Sequence, residues 1–145
     1  MNPTVVALFL CKASRAALDS VDQVDAIEET GLEGDRHAKR DSRRQVLLMQ
    51  EETLEQLGLK PGDVREQVTV RDLALDELAF GTRIRVGRAV LEIAGPCQPC
   101  ERMEEIRPGL KASLAGRRGR FVRVVEAGSF AVGDALIVEP PRTAS

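Results

Sequence analysis

The stretch TRIRVGRAVLEIAG (residues 82–95) has the most regular alternation of apolar and polar residues in the chain. Ile84 and Val86 alternate with arginines, and the second half of the stretch repeats the alternation with leucine and isoleucine. A period of two places apolar side chains on one face of a β-strand. Gly87 and Arg88 separate the two halves, and a two-residue link containing glycine between such runs is typical of a β-hairpin. The stretch therefore predicts two antiparallel strands that share one apolar face.

Short strand-like runs recur through the rest of the chain. Residues 5–10, 21–28, 44–49 and 68–70 are predicted strands, and residues 50–57, followed by Gly58, form a helical pattern. The segment VGDALIVE (residues 132–139) resembles VGRAVLEI (residues 86–93) and predicts a second hairpin of the same kind. Many short strands with one or two short helices predict a mainly β domain built as a closed or nearly closed barrel. No linker divides the chain, so residues 1–140 are expected to form one domain and residues 141–145 a loose tail.

The composition narrows the class of function. Of the 145 residues 43% are apolar and 30% are charged, with a net charge of −2, which excludes a generally basic protein that coats nucleic acid. No apolar run approaches the roughly 20 residues of a membrane span, so we expect neither a membrane nor a nucleic-acid partner. Residues 5–10 are too few for the apolar region of a secretion signal, and a cytoplasmic protein is expected. Three cysteines, an odd number, favour thiol or metal chemistry over a disulfide framework.

Two of the cysteines, Cys97 and Cys100, form a Cys-x-x-Cys pair with several interpretations. A zinc site would need more ligands than the two thiols of this pair. The single histidine, His37, would have to be one of them. A redox pair of the thioredoxin type is expected at a helix N-terminus, whereas the preceding residues indicate a strand. Burial of two small residues is a third interpretation. The fourth is a single thiolate at a strand end, directed at a ligand by the flanking prolines, which would suit a soft metal or sulfur transfer.

Two basic segments indicate an anionic ligand. Residues 36–44 carry five basic residues against Asp41 alone, and residues 107–123 carry six basic residues and no acidic one. Arginine forks match phosphate and planar polar edges bidentately, and His37 can donate to a phosphate or an oxo group. In a mildly acidic protein these segments favour a small anion over a long polyanion, the alternative being two solvated loops. Glycines within residues 114–120 also predict a basic loop of the kind that holds phosphate.

In this order the segments resemble the MOSC domain, which is named for the C-terminal part of molybdenum cofactor sulfurase. The matching segments are GLEGDRHA (31–38), RQVLLMQEE (44–52), GDVREQVTV (62–70), LAFGTRIRVGRAVLEIAGPCQPCERM (78–103) and GRFVRVVEAGSFAVGDALIV (119–138). The similarity covers nearly the whole chain, which looks like a stand-alone MOSC protein.

The resemblance implies a MOSC-type β-barrel that binds the molybdenum cofactor (molybdopterin), a pyranopterin dithiolene bearing a phosphate. In the family the cysteine after the G-P-x-x-P step is functional, as a molybdenum ligand or a persulfide carrier, and this position is Cys100 here. Cys97 is then an accessory thiol, and the Glu-Asn pair of the family is Glu66-Gln67 in this chain. The residues expected to bind and orient the cofactor are Asp35, Arg36, His37, Arg44, Glu66, Arg117 and Arg120.

The resemblance implies two activities. One is the molybdenum-dependent reduction of N-hydroxylated compounds, and the other is sulfur transfer through a persulfide on Cys100. Neither a desulfurase domain nor an electron-transfer domain is expected within 145 residues, so a cysteine desulfurase or electron-transfer proteins would be separate partners. The alternative is a zinc-binding or thiol-redox module that uses Cys97 and Cys100 together, without molybdenum.

Overall fold

The computed structural model describes residues 2–13, 15–42, 44–97 and 101–139. Within them the strands are β1 (Thr4–Leu10), β2 (Asp19–Val21), β3 (Gln23–Ile27), β4 (Gly31–Leu32), β5 (Val46–Gln50), β6 (Val68–Arg71), β7 (Arg83–Val86), β8 (Ala89–Pro96), β9 (Arg120–Glu126), β10 (Gly128–Ala131) and β11 (Leu136–Glu139). The helices are α1 (Glu51–Gln56), α2 (Glu101–Ile106) and α3 (Leu110–Ser113), with a 3₁₀ turn at Leu75–Glu77. The predicted mainly β class is confirmed, and these ranges contain three α-helices where the sequence indicated one or two.

Eight strands form one large sheet in the order β11-β7-β8-β9-β5-β6-β1-β2, and β10, β3 and β4 form a second sheet. Neighbours in the large sheet are antiparallel except β5 and β6, which run parallel. The sheet curls until Thr4 in β1 meets Ala135 through an isolated bridge, beside a bond of 2.9 Å from Leu136 N to Pro3 O. The architecture is therefore barrel-like, with this bridge in place of a continuous closing ladder.

The predicted hairpin at residues 82–95 is formed by β7 and β8. Ile84 lies opposite Leu91 in the ladder, and both side chains are fully buried in the barrel. Gly87, in the turn, has a φ of 55°, and a Cβ atom at this position would lie 2.5 Å from the carbonyl oxygen of Ser129 in β10. Because no side chain fits without displacing that strand, the turn requires glycine.

The second predicted hairpin, at residues 132–139, is wrong. The turn at residues 132–133 is present, but β10 before it pairs with β3, and β11 after it pairs with β7. Phe130 in β10 is buried opposite Val24 in β3. An eight-residue pattern therefore specifies the turn, whereas burial of apolar side chains selects the partner of each strand.

Apolar side chains form two separate clusters. The larger one fills the barrel. The smaller one, here called the helix cluster, joins the three helices to the outer side of β5 and consists of Met49, Leu54, Val64, Met103, Leu110 and Leu114. Helix α1 confirms the helical pattern predicted at residues 50–57, and Gly58, just beyond its end, has a φ of 69°. No helix in the described ranges is long and apolar enough to cross a membrane.

Candidate functional site

A cavity of about 290 Å³, here called the arginine cavity, opens beside the start of β9 and the end of β8. Among the described residues it is lined by six arginines and no carboxylate, and the remaining lining residues are polar, sulfur-containing or apolar. The lining residues are Arg15, Arg36, His37, Arg44, Leu47, Arg65, Gln67, Cys97, Arg102, Met103, Arg118 and Phe121. A concentration of guanidinium groups without lining carboxylates suits a ligand with more than one negative charge.

The cavity is assembled from segments that lie far apart in the sequence. Arg36 and His37 follow β4, Arg44 precedes β5, and Gln67 directly precedes β6. Arg44 also lies over the ring of Phe121 in β9, with 5.9 Å between the guanidinium carbon and the ring centroid. This cation–π contact holds one guanidinium against an apolar wall of the cavity.

Asp35 organises the wall formed by residues 35–37. Its Oδ1 atom accepts a hydrogen bond of 2.7 Å from the backbone N–H of Cys11, and Oδ2 accepts one of 2.9 Å from the backbone N–H of His37. The Gln67 side-chain amide donates to the same Oδ2 at 3.1 Å, and His37 Nδ1 lies 3.1 Å from it. Burial raises the pKa of Asp35, but these bonds, led by that from the His37 ring, outweigh it and leave the pKa below its ordinary value. The carboxyl group is therefore an anion held in a fixed orientation.

Arg118 is the buried cation of the cavity, with only 5% of its surface exposed. Nη2 donates to the carbonyl oxygen of Val64 at 2.6 Å. Nε and Nη1 are buried and have no hydrogen-bond partner among the described residues. Buried polar groups in folded proteins are almost always paired, so two unpaired N–H groups on a buried guanidinium indicate a missing acceptor.

Glu66 is fully buried next to this region but does not line the cavity. Oε2 accepts hydrogen bonds from the backbone N–H of Gly62 at 3.0 Å and from the Thr69 hydroxyl at 2.7 Å, whereas Oε1 has no partner among the described residues. Burial raises the pKa of Glu66, and the two hydrogen bonds and the nearby charge of Arg118 offset this only in part. The described hydrogen bonds of Glu66 thus go to Gly62 and Thr69 and do not saturate the donors of Arg118.

Three further arginines of the cavity are held by local contacts. Arg65, with a φ of 67°, donates to the carbonyl oxygen of Ala16 at 2.8 Å and contacts Cys11 Sγ at 3.1 Å. Arg15 and Arg102, here called the rim arginines, lie 2.7 Å and 3.3 Å from the two carboxylate oxygens of Glu105 on α2. The hydrogen bond from Arg15 is the main cause of a lowered pKa at Glu105.

The structure brings together only some of the predicted site residues. Arg36, His37 and Arg44 line the cavity, and Asp35 and Glu66 are buried next to lining residues. Arg117 and Arg120 do not line it. Arg117 binds the Gln56 side chain at 3.0 Å, and Arg120 lies 3.3 Å from Asp76 Oδ1.

Cys97 lines the cavity, and its backbone N–H donates to Gly119 O at 3.1 Å. Cys100, predicted as the metal ligand and catalytic residue, lies outside the described residues. Strand β8 ends at Pro96 and α2 begins at Glu101. The strand predicted before the Cys-x-x-Cys pair is therefore confirmed, and α2 starts directly after the pair.

Sequence reasoning missed Arg15, Arg65, Arg102 and Arg118 as site residues. Arg65, Arg15 and Arg102 each stand alone among other residue types, so no local pattern marks them. Arg118 lies in the basic loop that was singled out, but the sequence does not distinguish it from its neighbours.

A second cavity, of about 260 Å³, lies elsewhere on the barrel and has a different character. Its one lining arginine among the described residues, Arg123, bridges two lining carboxylates, Glu29 and Glu92. This internal compensation contrasts with the unpaired donors of the arginine cavity.

A family model of the MOSC domain matches residues 33–137, which include all the predicted site residues. The chain belongs to the MOSC domain family. The MOSC fold is also seen in crystal structures similar to this chain. The YuaD protein from Bacillus subtilis is 21% identical with a TM-score of 0.77, and the match covers 95% of this chain and 96% of that one.

Two further similar structures are YiiM proteins. YiiM from Geobacillus stearothermophilus is 19% identical with a TM-score of 0.77, over 95% of this chain and 75% of that one. YiiM from Escherichia coli is 17% identical with a TM-score of 0.73, over 97% of this chain and 72% of that one. At identities this low, the structural similarity establishes a shared fold and nothing further. A search of curated protein sequences finds no match.

Proposed function

We propose that this MOSC protein binds the molybdenum cofactor in the arginine cavity, with Cys100 as the molybdenum ligand or as a persulfide carrier. The observation that carries the proposal is that two donor nitrogens of the buried Arg118 guanidinium, Nε and Nη1, have no partner among the described residues. A buried cation with unpaired donors, in a cavity lined by five more arginines, is complementary to a phosphate group.

The residues present fit one end of the cofactor. A volume of about 290 Å³ is at the small end of ligand pockets, so it suits the phosphate-bearing end rather than a whole large ligand. Arg118, Arg36 and Arg44 would hold the phosphate, and Asp35 would orient the segment that carries Arg36. When bound, the cofactor would supply two-electron redox chemistry at molybdenum. Arg117 and Arg120 contact Gln56 and Asp76 outside the cavity, which favours a role in holding the surroundings of the site over direct binding of the cofactor.

The role of Cys100 divides the proposal into two activities. As a thiolate it is a suitable soft ligand for molybdenum, and the protein would then reduce N-hydroxylated compounds with electrons from separate proteins. As a sulfur carrier, the Cys100 thiolate would attack the outer sulfur of a persulfide on a cysteine desulfurase. The sulfur atom would pass to Cys100, and the desulfurase cysteine would leave as a thiolate. Cys97, which lines the cavity, is the matched control for both roles because it is a thiol on the same segment.

Elemental analysis tests the first activity. Wild type, Cys100→Ser and Cys97→Ser proteins would be purified from a host that makes molybdenum cofactor. We expect about one molybdenum per chain in the wild type and in Cys97→Ser, and none in Cys100→Ser. Folded proteins that all lack molybdenum and pterin would refute cofactor binding. Zinc that is lost equally from both variants would support the alternative module that uses Cys97 and Cys100 together.

Mass spectrometry tests the second activity. After incubation with a cysteine desulfurase and cysteine, the wild type and Cys97→Ser should gain the mass of one sulfur atom, located on Cys100 by peptide mapping. A gain that survives in Cys100→Ser would contradict the assignment of the carrier.

A further inference from the structure

We propose that His37 is the proton-accepting group of the arginine cavity and takes up a proton from solvent when an anion binds beside it. The inference rests on the anion site proposed above and adds a second role to it. The cavity would then bind its ligand with a proton, held by a residue that can return that proton to the ligand.

The hydrogen bonds of the His37 ring place its proton in the ligand-free protein. Nδ1 lies 3.1 Å from Asp35 Oδ2, and an ionised carboxylate can only accept a hydrogen bond. Nε2 lies 3.3 Å from Arg36 Nη1, and a guanidinium can only donate. Nδ1 also lies 3.4 Å from Gln67 Nε2, an amide nitrogen whose shorter hydrogen bond, of 3.1 Å, goes to Asp35 Oδ2. The contacts with Asp35 and Arg36 are satisfied together when Nδ1 carries the proton and Nε2 is an unprotonated acceptor. This tautomer leaves a lone pair on the nitrogen that faces Arg36.

Asp35 is the positioning residue for this arrangement. Its Oδ1 is held by the Cys11 backbone N–H at 2.7 Å, and its Oδ2 by the Gln67 amide at 3.1 Å. Cys11 directly follows β1, and Gln67 directly precedes β6. The carboxylate therefore cannot rotate away from the ring without breaking hydrogen bonds to two other parts of the fold. A carboxylate fixed behind an imidazole selects one tautomer of the ring and stabilises the protonated form when it arises.

Binding of an anion changes the hydrogen-bond partners of Arg36 and His37 together. Among the described residues, the charged groups that line the cavity around His37 are all arginines, from its own segment and from the segments that pack against it: Arg36, Arg44, Arg65, Arg102, Arg118 and Arg15. The thiol of Cys97 is the remaining titratable group of the lining. When an anion supplies oxygens for Arg36 to bind, Nε2 loses its donor. Nε2 can then gain a proton from solvent and donate it to an oxygen of the anion, a charge-assisted hydrogen bond.

The proton has a use in the proposed chemistry. Loss of oxygen from an N-hydroxyl group as water requires a proton at that oxygen, and an imidazolium next to the ligand can supply it. The His37 side chain is accessible for such a contact, since 36% of it is exposed. His37 is thus positioned as an acid toward the ligand and as a base toward solvent.

The decisive experiment uses the fact that the chain has one histidine. Tag-free protein labelled with ¹⁵N in histidine gives a single imidazole in the NMR spectrum, whose two nitrogen shifts report where protons reside. Sulfate is the probe, because it is a dianion that does not titrate near neutral pH. We expect a neutral ring protonated at Nδ1 without sulfate, and a ring protonated at both nitrogens when sulfate saturates the cavity. A free protein protonated at Nε2 would overturn the inference.

Calorimetry separates this inference from the anion site itself. Titration with sulfate in buffers of different ionisation enthalpy measures the protons taken up, expected to approach about one per sulfate in the wild type and zero in His37→Gln. The control is Arg117→Gln, outside the cavity, which should match the wild type. Sulfate binding without proton uptake refutes the role of His37 and leaves the anion site intact, whereas absence of binding refutes the anion site. In Asp35→Asn a mixture of tautomers is expected, and if this variant does not fold, the wild-type spectrum alone decides.

Discussion

Replacing Arg118 by methionine is expected to stabilise the ligand-free protein. The guanidinium is 5% exposed and has one hydrogen bond, to Val64 O, while Nε and Nη1 have none among the described residues. Each buried unpaired donor costs about 1–3 kcal/mol, and the substitution removes two of them while leaving one acceptor unpaired at a similar cost. The balance of these hydrogen-bonding contributions favours the variant by about 1–3 kcal/mol, whereas loss of the positive charge near Glu66 opposes part of this gain.

The same substitution is expected to weaken anion binding strongly. Two charge-assisted hydrogen bonds from Nε and Nη1 are worth about 1.5–3 kcal/mol each, so their loss lowers the affinity for sulfate by about 100-fold or more. Arg118 is therefore predicted to reduce the stability of the empty protein and to be required when the cavity is filled.

Thermal unfolding with and without sulfate measures both effects. For a chain of this length the stability gain corresponds to a midpoint raised by about 2–10 °C in Arg118→Met without sulfate. Sulfate should raise the midpoint of the wild type and not that of the variant, because a ligand stabilises only the state that binds it. Arg117→Met, at an adjacent position outside the cavity, should match the wild type in both measurements. A variant that unfolds earlier than the wild type and still responds fully to sulfate would refute the assignment of Arg118.

Three further predictions concern the rim of the cavity, the buried carboxyl and the hairpin turn. Glu105→Gln releases the rim arginines, so the calorimetric affinity for sulfate should rise about two- to threefold, as expected for loss of an exposed ion pair, and an unchanged affinity would show that Glu105 does not compete with the ligand. Glu66 has a raised pKa in the folded state, so the wild type should lose stability as the pH rises from the pKa of the unfolded chain toward that of the folded protein. Glu66→Gln should abolish this loss in denaturant titrations, and an equal loss in both proteins would contradict the account. Gly87→Ala, with a Cβ 2.5 Å from a carbonyl oxygen, should cost about 2–4 kcal/mol in unfolding free energy. Gly81→Ala, at a φ of 87° with open space around it, should cost about 1 kcal/mol, and equal costs would refute the steric argument.

Strands β1, β5, β6, β7 and β8 were predictable because each one carries its own apolar pattern, whereas β4 and β10 were not predicted. The alternation at residues 82–95 depends only on neighbours along the chain, and β7 and β8 pair as predicted. Helices α2 and α3 were not predicted, since six and four residues are too few to show a helical period. Their stability comes from packing in the helix cluster, which depends on residues distant in sequence.

The sequence predicts only those parts of the candidate site whose residues lie close together along the chain. Asp35 and His37 contact each other across two residues, so the segment that contains them could be recognised as a unit. The choice among Arg117, Arg118 and Arg120 depends on how the chain enters β9, where a shift of one residue exchanges a buried direction for an exposed one. Only Arg118 is buried, and no property of the loop composition specifies this.

The separation of the apolar side chains into a barrel core and a helix cluster has a consequence for how a ligand enters. Regions with separate packing can unfold locally at a lower free energy than the whole domain. Arg102 and Met103, which line the cavity, belong to α2, and Met103 packs in the helix cluster. Local unfolding of α2 and α3 would therefore uncover the cavity while the barrel stays folded. We expect amide hydrogens of α2 and α3 to exchange with solvent faster than those of β5 and β9. The rate at which a ligand enters the cavity would then depend on local unfolding of the helix cluster, while the barrel keeps its structure.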